Sequence, residues 1–287
     1  MNQENKNTSK FPWYGYLGIS VFLVSEAGLY SQLWFFEIYM TPLCWSGLIL
    51  FLDALNFRLA GNSLIMTRRK EFLWMIPWSV ALWYFFEFYN LFIRNWHYVG
   101  LPDDRLLRYS GYFWSFATIW PGIYEIFEVI KNLGIFRSAR VKPLNLTRKI
   151  LTLSFGTGLV CMFLPFVVPL DIATYLAAPV WIGMIFMLDP LNYSLNRYSI
   201  WRDWSNGNLS VLFQLFLTGF IAGILWEFWN YWATAKWIYT VPILGHIKIF
   251  EMPVVGYLGF IPFAVEVFVM WETVKYIMGI GKNGHGQ

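Results

Sequence analysis

Long apolar runs, each close to the length of a bilayer-crossing helix and separated by short polar stretches, fill the chain from residue 13 to residue 275. A hydrocarbon core about 30 Å thick takes roughly 20 residues of helix to cross. On that measure the pattern predicts eight spans: Trp13 to Ser31, Phe35 to Phe57, Phe72 to Ile93, Tyr109 to Ile130, Ile150 to Leu170, Ile172 to Tyr193, Leu209 to Ala233 and Pro253 to Lys275. The expected fold class is all-α, a polytopic membrane protein of about eight transmembrane helices. Under this layout Arg94, Arg105, Arg108, Lys236 and Lys248 lie on one side, and the other 16 of the 21 Lys and Arg residues lie opposite. The positive-inside rule then places both termini and the central linker in the cytoplasm of a cell inner (cytoplasmic) membrane.

Composition strengthens this picture. Apolar residues make up 57% of the chain and charged residues 13%, with a mean hydropathy of +0.48. A soluble domain, with about a quarter of its residues charged, is excluded. Phe, Tyr and Trp reach 21%, more than interfacial belts need, so an aromatic-lined cavity is expected inside the protein. The net charge of +4 belongs to cytoplasmic loops beside anionic headgroups, so membrane lipids are expected partners and nucleic acid is not. Cys44 and Cys161 lack metal-type spacing and fit small core residues. His97 and His246 fall in loops and His285 in the polar tail. His97, His246 and Glu251 are expected to make ordinary hydrogen bonds, so no metal is implied. No nucleotide, dinucleotide or nucleophile-elbow motif is present, so no cofactor is implied either. Met1 to Lys10 is polar and meets the first span without a small-residue cleavage site, so that helix is expected to be retained.

The chain also resembles itself. At an offset of 136 residues, Trp45, Gly47, Leu52, Asp53, Leu55 and Asn56 fall on Trp181, Gly183, Leu188, Asp189, Leu191 and Asn192. At 140 or 141, Glu87, Phe88 and Asn90 fall on Glu227, Phe228 and Asn230, Trp96 and Tyr98 on Trp237 and Tyr239, and Pro121, Glu125 and Phe127 on Pro262, Glu266 and Phe268. Two parallel tandem four-helix repeats follow, over residues 1–131 and 150–287, joined by a cytoplasmic linker at 132–149. An even number of spans per unit gives both copies one topology.

The repeated polar residues carry the candidate chemistry, because an ionisable side chain inside a span is costly unless it faces a cavity or a partner. Trp83, Glu87 and Asn90 share a face of the third span, and Glu227 and Asn230 repeat it on the seventh. Glu125 and Glu266 each follow a proline by one turn, and Asp53 with Asn56 and Asp189 with Asn192 end the second and sixth spans. A carboxylic acid in an apolar pocket keeps its proton near neutral pH and can deliver it to an inert double bond or epoxide, while aromatic faces stabilise the cation that forms. Glu87 and Glu227 are the expected acids, with Glu125 and Glu266 as their catalytic partners. Asn90, Asn230, Trp83, Trp226, Trp229, Asp53, Asn56, Asp189 and Asn192 are expected to bind substrate. The same residues also suit a structural role, bonding helices together at about 1 kcal/mol each.

With its two four-helix units and the segments Leu52-Asp53-Ala54-Leu55-Asn56 and Leu188-Asp189-Pro190-Leu191-Asn192, the chain resembles intramembrane prenyltransferases. Those enzymes hold magnesium and diphosphate with several aspartates per motif, where this chain has one, so diphosphate chemistry does not carry over. The glutamates of Trp226-Glu227-Phe228 and of Pro262 to Phe268 resemble those of membrane terpene and lycopene cyclases. That resemblance implies a lyase or isomerase acting on a lipid-soluble isoprenoid or carotenoid-like small molecule. Two alternatives stay open: a non-catalytic membrane subunit that binds quinone, pigment or lipid, as a homo-oligomer or in a larger complex, and a transporter.

Overall fold

The computed structural model describes residues 9–280; Lys6, Lys282 and His285 lie outside them. Helices dominate the described chain, with almost no sheet. In order it runs α1 (Trp13–Tyr30), α2 (Trp34–Ala60), α3 (Arg69–Ile93), strand β1 (Trp96–Val99), α4 (Arg105–Ala117), α5 (Ile119–Asn132), α6 (Arg148–Val167), α7 (Leu170–Ala173), α8 (Ala177–Ser194), α9 (Ile200–Ser205), α10 (Ser210–Trp232), β2 (Lys236–Tyr239), β3 (Lys248–Ile249), β4 (Met252–Pro253) and α11 (Tyr257–Ile277).

Helix ends follow local chemistry. Gly61 turns left-handed at φ +67° and returns its N–H to Phe57, closing α2. Asp104 and Thr147 accept from Leu107 and Ile150 and so cap α4 and α6. The expected fourth span divides at Thr118. Pro121 has no N–H for the Ala117 carbonyl, and one residue earlier the buried Ser79 hydroxyl stands between the next pair, donating to the Phe116 carbonyl at 2.5 Å and accepting from the Trp120 N–H at 3.1 Å.

Among the described residues four helices, and not the eight expected, are long and apolar enough to cross a membrane: Trp34–Ala60, Arg148–Val167, Ser210–Trp232 and Val254–Ile277. Physical reasons separate the others. Helices α1 and α8 have only 18 residues each and contain Glu26 and Asp189. Helix α3 opens on Arg69, Lys70 and Glu71 and contains Glu87, and the fourth span is two helices of 13 and 14 residues. The α6 helix shows what its apolar surface meets. Leu153, Val160, Phe163 and Val167 form one stripe and are each more than 60% exposed, which suits hydrocarbon and would be costly in water.

The chain forms two compact units. One holds Met1–Leu82, Val99–Ile135 and Phe228–Lys236, the other Trp83–Tyr98, Phe136–Glu227 and Trp237–Gln287. They differ from the sequence halves by a reciprocal exchange, since 83–98 groups with the second unit and 228–236 with the first.

In the first unit α1 and α2 meet at bare backbone. A Cβ on Gly18 would lie 2.5 Å from the Gly47 carbonyl oxygen and 2.7 Å from the Phe51 nitrogen. In the second unit α6 and α8 meet the same way, with a Cβ on Gly158 lying 2.7 Å from the Gly183 oxygen and 2.5 Å from the Met187 nitrogen. Backbone cannot yield as a flexible side chain can, so Gly158→Ala is expected to cost about 1–3 kcal/mol. Thermal unfolding in detergent reads this. Gly156→Ala, which meets nothing within 4 Å, is the control, and equal melting temperatures for the two variants would contradict the close crossing.

Candidate functional site

The first candidate acid, Glu87, lies in the second unit. Its Oε1 accepts three hydrogen bonds, from Trp83 Nε1 at 3.1 Å, Trp96 Nε1 at 3.0 Å and the Tyr98 hydroxyl at 2.5 Å. Trp83 sits one helical turn before it, and Trp96 and Tyr98 alternate on β1, which puts both side chains on one face of the strand. The reversal from α3 into β1 passes through Arg94 at φ +51°. Asn90 holds that reversal, donating to the Trp96 carbonyl at 2.8 Å while its Oδ1 accepts from the N–H groups of Asn95 and Trp96. Both ends of the Asn90 amide are therefore engaged in shaping the turn.

Glu227, fully buried in the same unit, has a matching environment. Its Oε1 accepts from the Tyr239 hydroxyl at 2.9 Å and from Trp237 Nε1 at 3.4 Å, and Trp237 also donates to the Tyr239 oxygen at 2.8 Å. Its Oε2 is buried without a hydrogen-bond partner. An indole can only donate, so Oε1 is the accepting oxygen and in the acid form the proton rests on Oε2. Lys248 and Glu251 lie within electrostatic reach of this carboxyl. Burial and the adjacent Glu227 push the Tyr239 phenol well above its ordinary pKa.

Two of the rings that hold Glu87, Trp83 and Trp96, belong to a larger aromatic group of the second unit. Trp83, Phe86, Trp96, Trp181, Trp226 and Phe263 form one cluster, with centroids of touching rings 4.8 to 6.4 Å apart. At these separations the rings touch. What was expected as an aromatic-lined cavity is, among these six residues, a packed core.

Glu266 follows Phe263 by one turn of α11. It is fully buried, and neither carboxylate oxygen has a hydrogen-bond partner. Its counterpart in the first unit, Glu125, is better served. There Asn56 Nδ2 donates to Glu125 Oε2 at 2.8 Å and to its carbonyl at 3.1 Å, while Asn132 donates to Asn56 Oδ1 at 2.9 Å. In the second unit Thr273 donates to Asn192 Oδ1 at 3.0 Å, at the position that matches Asn132, but Asn192 Nδ2 turns to the Val269 carbonyl at 3.0 Å. Glu266 is left bare. The same local framework thus engages one carboxyl oxygen of Glu125, whose buried Oε1 has no hydrogen-bond partner, and neither oxygen of Glu266.

The two aspartates clamp loops. Asp53 Oδ1 accepts from the hydroxyls of Tyr14 at 2.5 Å and Ser63 at 2.8 Å, and Oδ2 accepts from the Ile65 N–H at 2.7 Å. Asp189 accepts from Ser199 Oγ at 3.0 Å, the Ile200 N–H at 3.0 Å and the Trp201 N–H at 2.8 Å. Ser63 and Ser199 in turn accept from the N–H three residues on, each at 3.4 Å. All four oxygens of these aspartates are occupied by the loops that follow α2 and α8.

The remaining candidates are separated. Trp226 joins the aromatic cluster of the second unit, whereas Trp229 lies in the first, edge-on to Trp45 at 5.3 Å and to Phe22 at 6.1 Å. Asn230 is buried in the first unit. The second unit therefore gathers Glu87, Glu227, Glu266, Asn90, Trp83, Trp226, Asp189 and Asn192, and the first holds Glu125, Asn56, Asp53, Trp229 and Asn230.

The most informative residues missing from the candidate set are Trp96, Tyr98, Trp237 and Tyr239, which grip the two acids. The offset of 141 already pairs them, and alternation along a short strand was the signal that they share a face. Ser63 and Ser199 are likewise paired at 136. Among the described residues, no group of three or more His, Cys, Asp or Glu could hold a metal ion, and Cys44 and Cys161 are free thiols. No known protein family, curated protein or solved structure matches this chain. Fold and site together define a helical protein with four helices fit to cross a membrane and with buried carboxyls set among aromatic rings.

Proposed function

We propose that the chain is an integral-membrane enzyme that protonates a double bond or epoxide of a lipid-soluble, isoprenoid-like substrate, with Glu227 as the acid. One observation carries the reading: Trp237 and Tyr239 hold Glu227 Oε1, while Oε2 is buried and has no partner. A double bond takes up the proton from Oε2 as a new C–H bond, or an epoxide takes it up as a new O–H bond while one ring C–O bond breaks, and either way a carbocation forms. The negative charge left on the carboxylate is met by the O–H and N–H donors on Oε1, already in place before the reaction. Ring closure or bond migration follows, and loss of a proton from an adjacent carbon restores the acid. No oxidant or reductant enters, so the product is an isomer, as for the cyclases that the Glu227 segment resembles.

The wider architecture belongs to the same proposal. The four apolar helices α2, α6, α10 and α11 occupy four different positions of the repeat, second, first, third and fourth. Each of the others, α8, α1, α3 and the α4–α5 pair, matches one of them by offset, which supports eight membrane helices in two tandem copies. The excess of Lys and Arg on one side supports the reading that both termini lie in the cytoplasm of an inner membrane.

Dicyclohexylcarbodiimide, a lipid-soluble reagent that couples to protonated carboxyls in apolar surroundings, tests the acid directly. Peptide mass spectrometry after labelling is expected to find adducts on Glu227 and on the bare Glu266, and none on Asp53 or Asp189, whose oxygens are engaged. Labelling of Asp189 with Glu227 untouched would overturn the assignment.

A further inference from the structure

Three consecutive cations, Arg68, Arg69 and Lys70, lead into α3, and they are not equivalent. Arg68 is held by Glu128 at 2.5 Å, with Glu71 at 3.9 Å. Arg69 Nε donates to the Ile65 carbonyl at 3.1 Å. Lys70 has neither a hydrogen bond nor an ion pair among the described residues, and it borders a surface groove whose other walls are Leu73, Trp74 and Pro77. The spacing 70, 73, 74, 77 makes this a single stripe of the helix. Leu73 is 64% exposed and Trp74 38%, a large apolar surface beside one unpaired positive charge.

We infer that this groove binds an anionic glycerophospholipid, its phosphate on the Lys70 ammonium and one acyl chain along Leu73, Trp74 and Pro77. The charge order fits. A rise of about 1.5 Å per residue sets Pro77 roughly 10 Å from Lys70 along the helix, comparable to the step from headgroup to hydrocarbon in one leaflet. Trp74 lies between, where an amphipathic indole is favoured. A zwitterionic lipid offers the same chain but no net charge to Lys70. This site is independent of the acid chemistry around Glu227 and needs only that the chain lies in a bilayer.

Native mass spectrometry of the full chain in mild detergent tests it. Phosphatidylglycerol is added in one series and phosphatidylcholine with identical chains in another. One phosphatidylglycerol is expected to stay bound under activation that strips phosphatidylcholine, and millimolar inorganic phosphate is expected not to displace it. Lys70→Ala should weaken retention about fivefold, in keeping with one surface cation, and Trp74→Ala should weaken retention of both lipids. Lys70→Arg, which keeps the charge, should restore phosphatidylglycerol binding. Lys149→Ala, an exposed cation in the second unit, should leave it unchanged. Equal retention of the two lipids, loss of binding on Lys149→Ala, or an unaltered adduct on Lys70→Ala would each overturn the inference.

Discussion

Glu227→Gln is expected to lower turnover by about 10²–10⁴-fold, the usual contribution of a positioned general acid, while the protein folds and purifies as before. The glutamine is nearly isosteric, and its carbonyl can still accept from Tyr239 and Trp237. Only the transferable proton is lost. The comparison is made on organic extracts of membranes carrying wild-type or variant protein, by untargeted mass spectrometry: an isomer formed by the wild type should be missing from the variant, and its precursor should accumulate. Tyr239→Phe removes one of the donors that hold Oε1 and should cost less, because Trp237 remains. Turnover unchanged in Glu227→Gln would remove Glu227 from the reaction.

Asp189→Ala is expected to have the largest effect on stability, and none specific to chemistry. The substitution strands one hydroxyl and two backbone N–H groups at a position 1% exposed. Each buried donor without a partner costs about 1–3 kcal/mol, so a loss of at least about 3 kcal/mol follows, on the order of a 10 °C fall in melting temperature. Asp53→Ala should behave alike, since it releases Tyr14, Ser63 and Ile65. A stable Asp189→Ala protein with impaired substrate binding would instead return the aspartates to the binding role expected from sequence. The two sets of variants thus divide the buried acids by what they do, Glu227 through activity and Asp189 through stability.

Several of these relations were legible in the sequence because they are periodic. The offsets that align Glu87 with Glu227 and Trp96 and Tyr98 with Trp237 and Tyr239 also align their hydrogen bonds. Gly47 and Gly183, paired at 136, each sit at a helix crossing. Hydropathy located most helices within a few residues, since burial in hydrocarbon and burial in protein demand the same apolar runs. It could not see the break at Thr118, which depends on Pro121 together with a serine some 40 residues away. Nor could it see that the Asp53 and Asp189 carboxylates turn back onto loops ten to twelve residues ahead, because an aspartate at the end of a span reads the same whether it binds loop or ligand. The difference between Glu125 and Glu266 was also hidden. It lies in the direction one asparagine amide takes, and Asn56 and Asn192 are the same residue in equivalent sequence.

The central claim, that a buried acid acts on a lipid-soluble molecule, is tested most directly by what the inactive protein retains. Wild-type and Glu227→Gln proteins would be purified gently from native membranes and extracted with organic solvent, and the extracts compared by mass spectrometry. The account predicts that Glu227→Gln carries an unsaturated or epoxidised isoprenoid-like molecule, and that wild-type protein converts it to an isomer of the same mass. Two empty proteins that arrive with stoichiometric partner subunits would contradict it, and would make the buried glutamates helix contacts in a larger membrane complex.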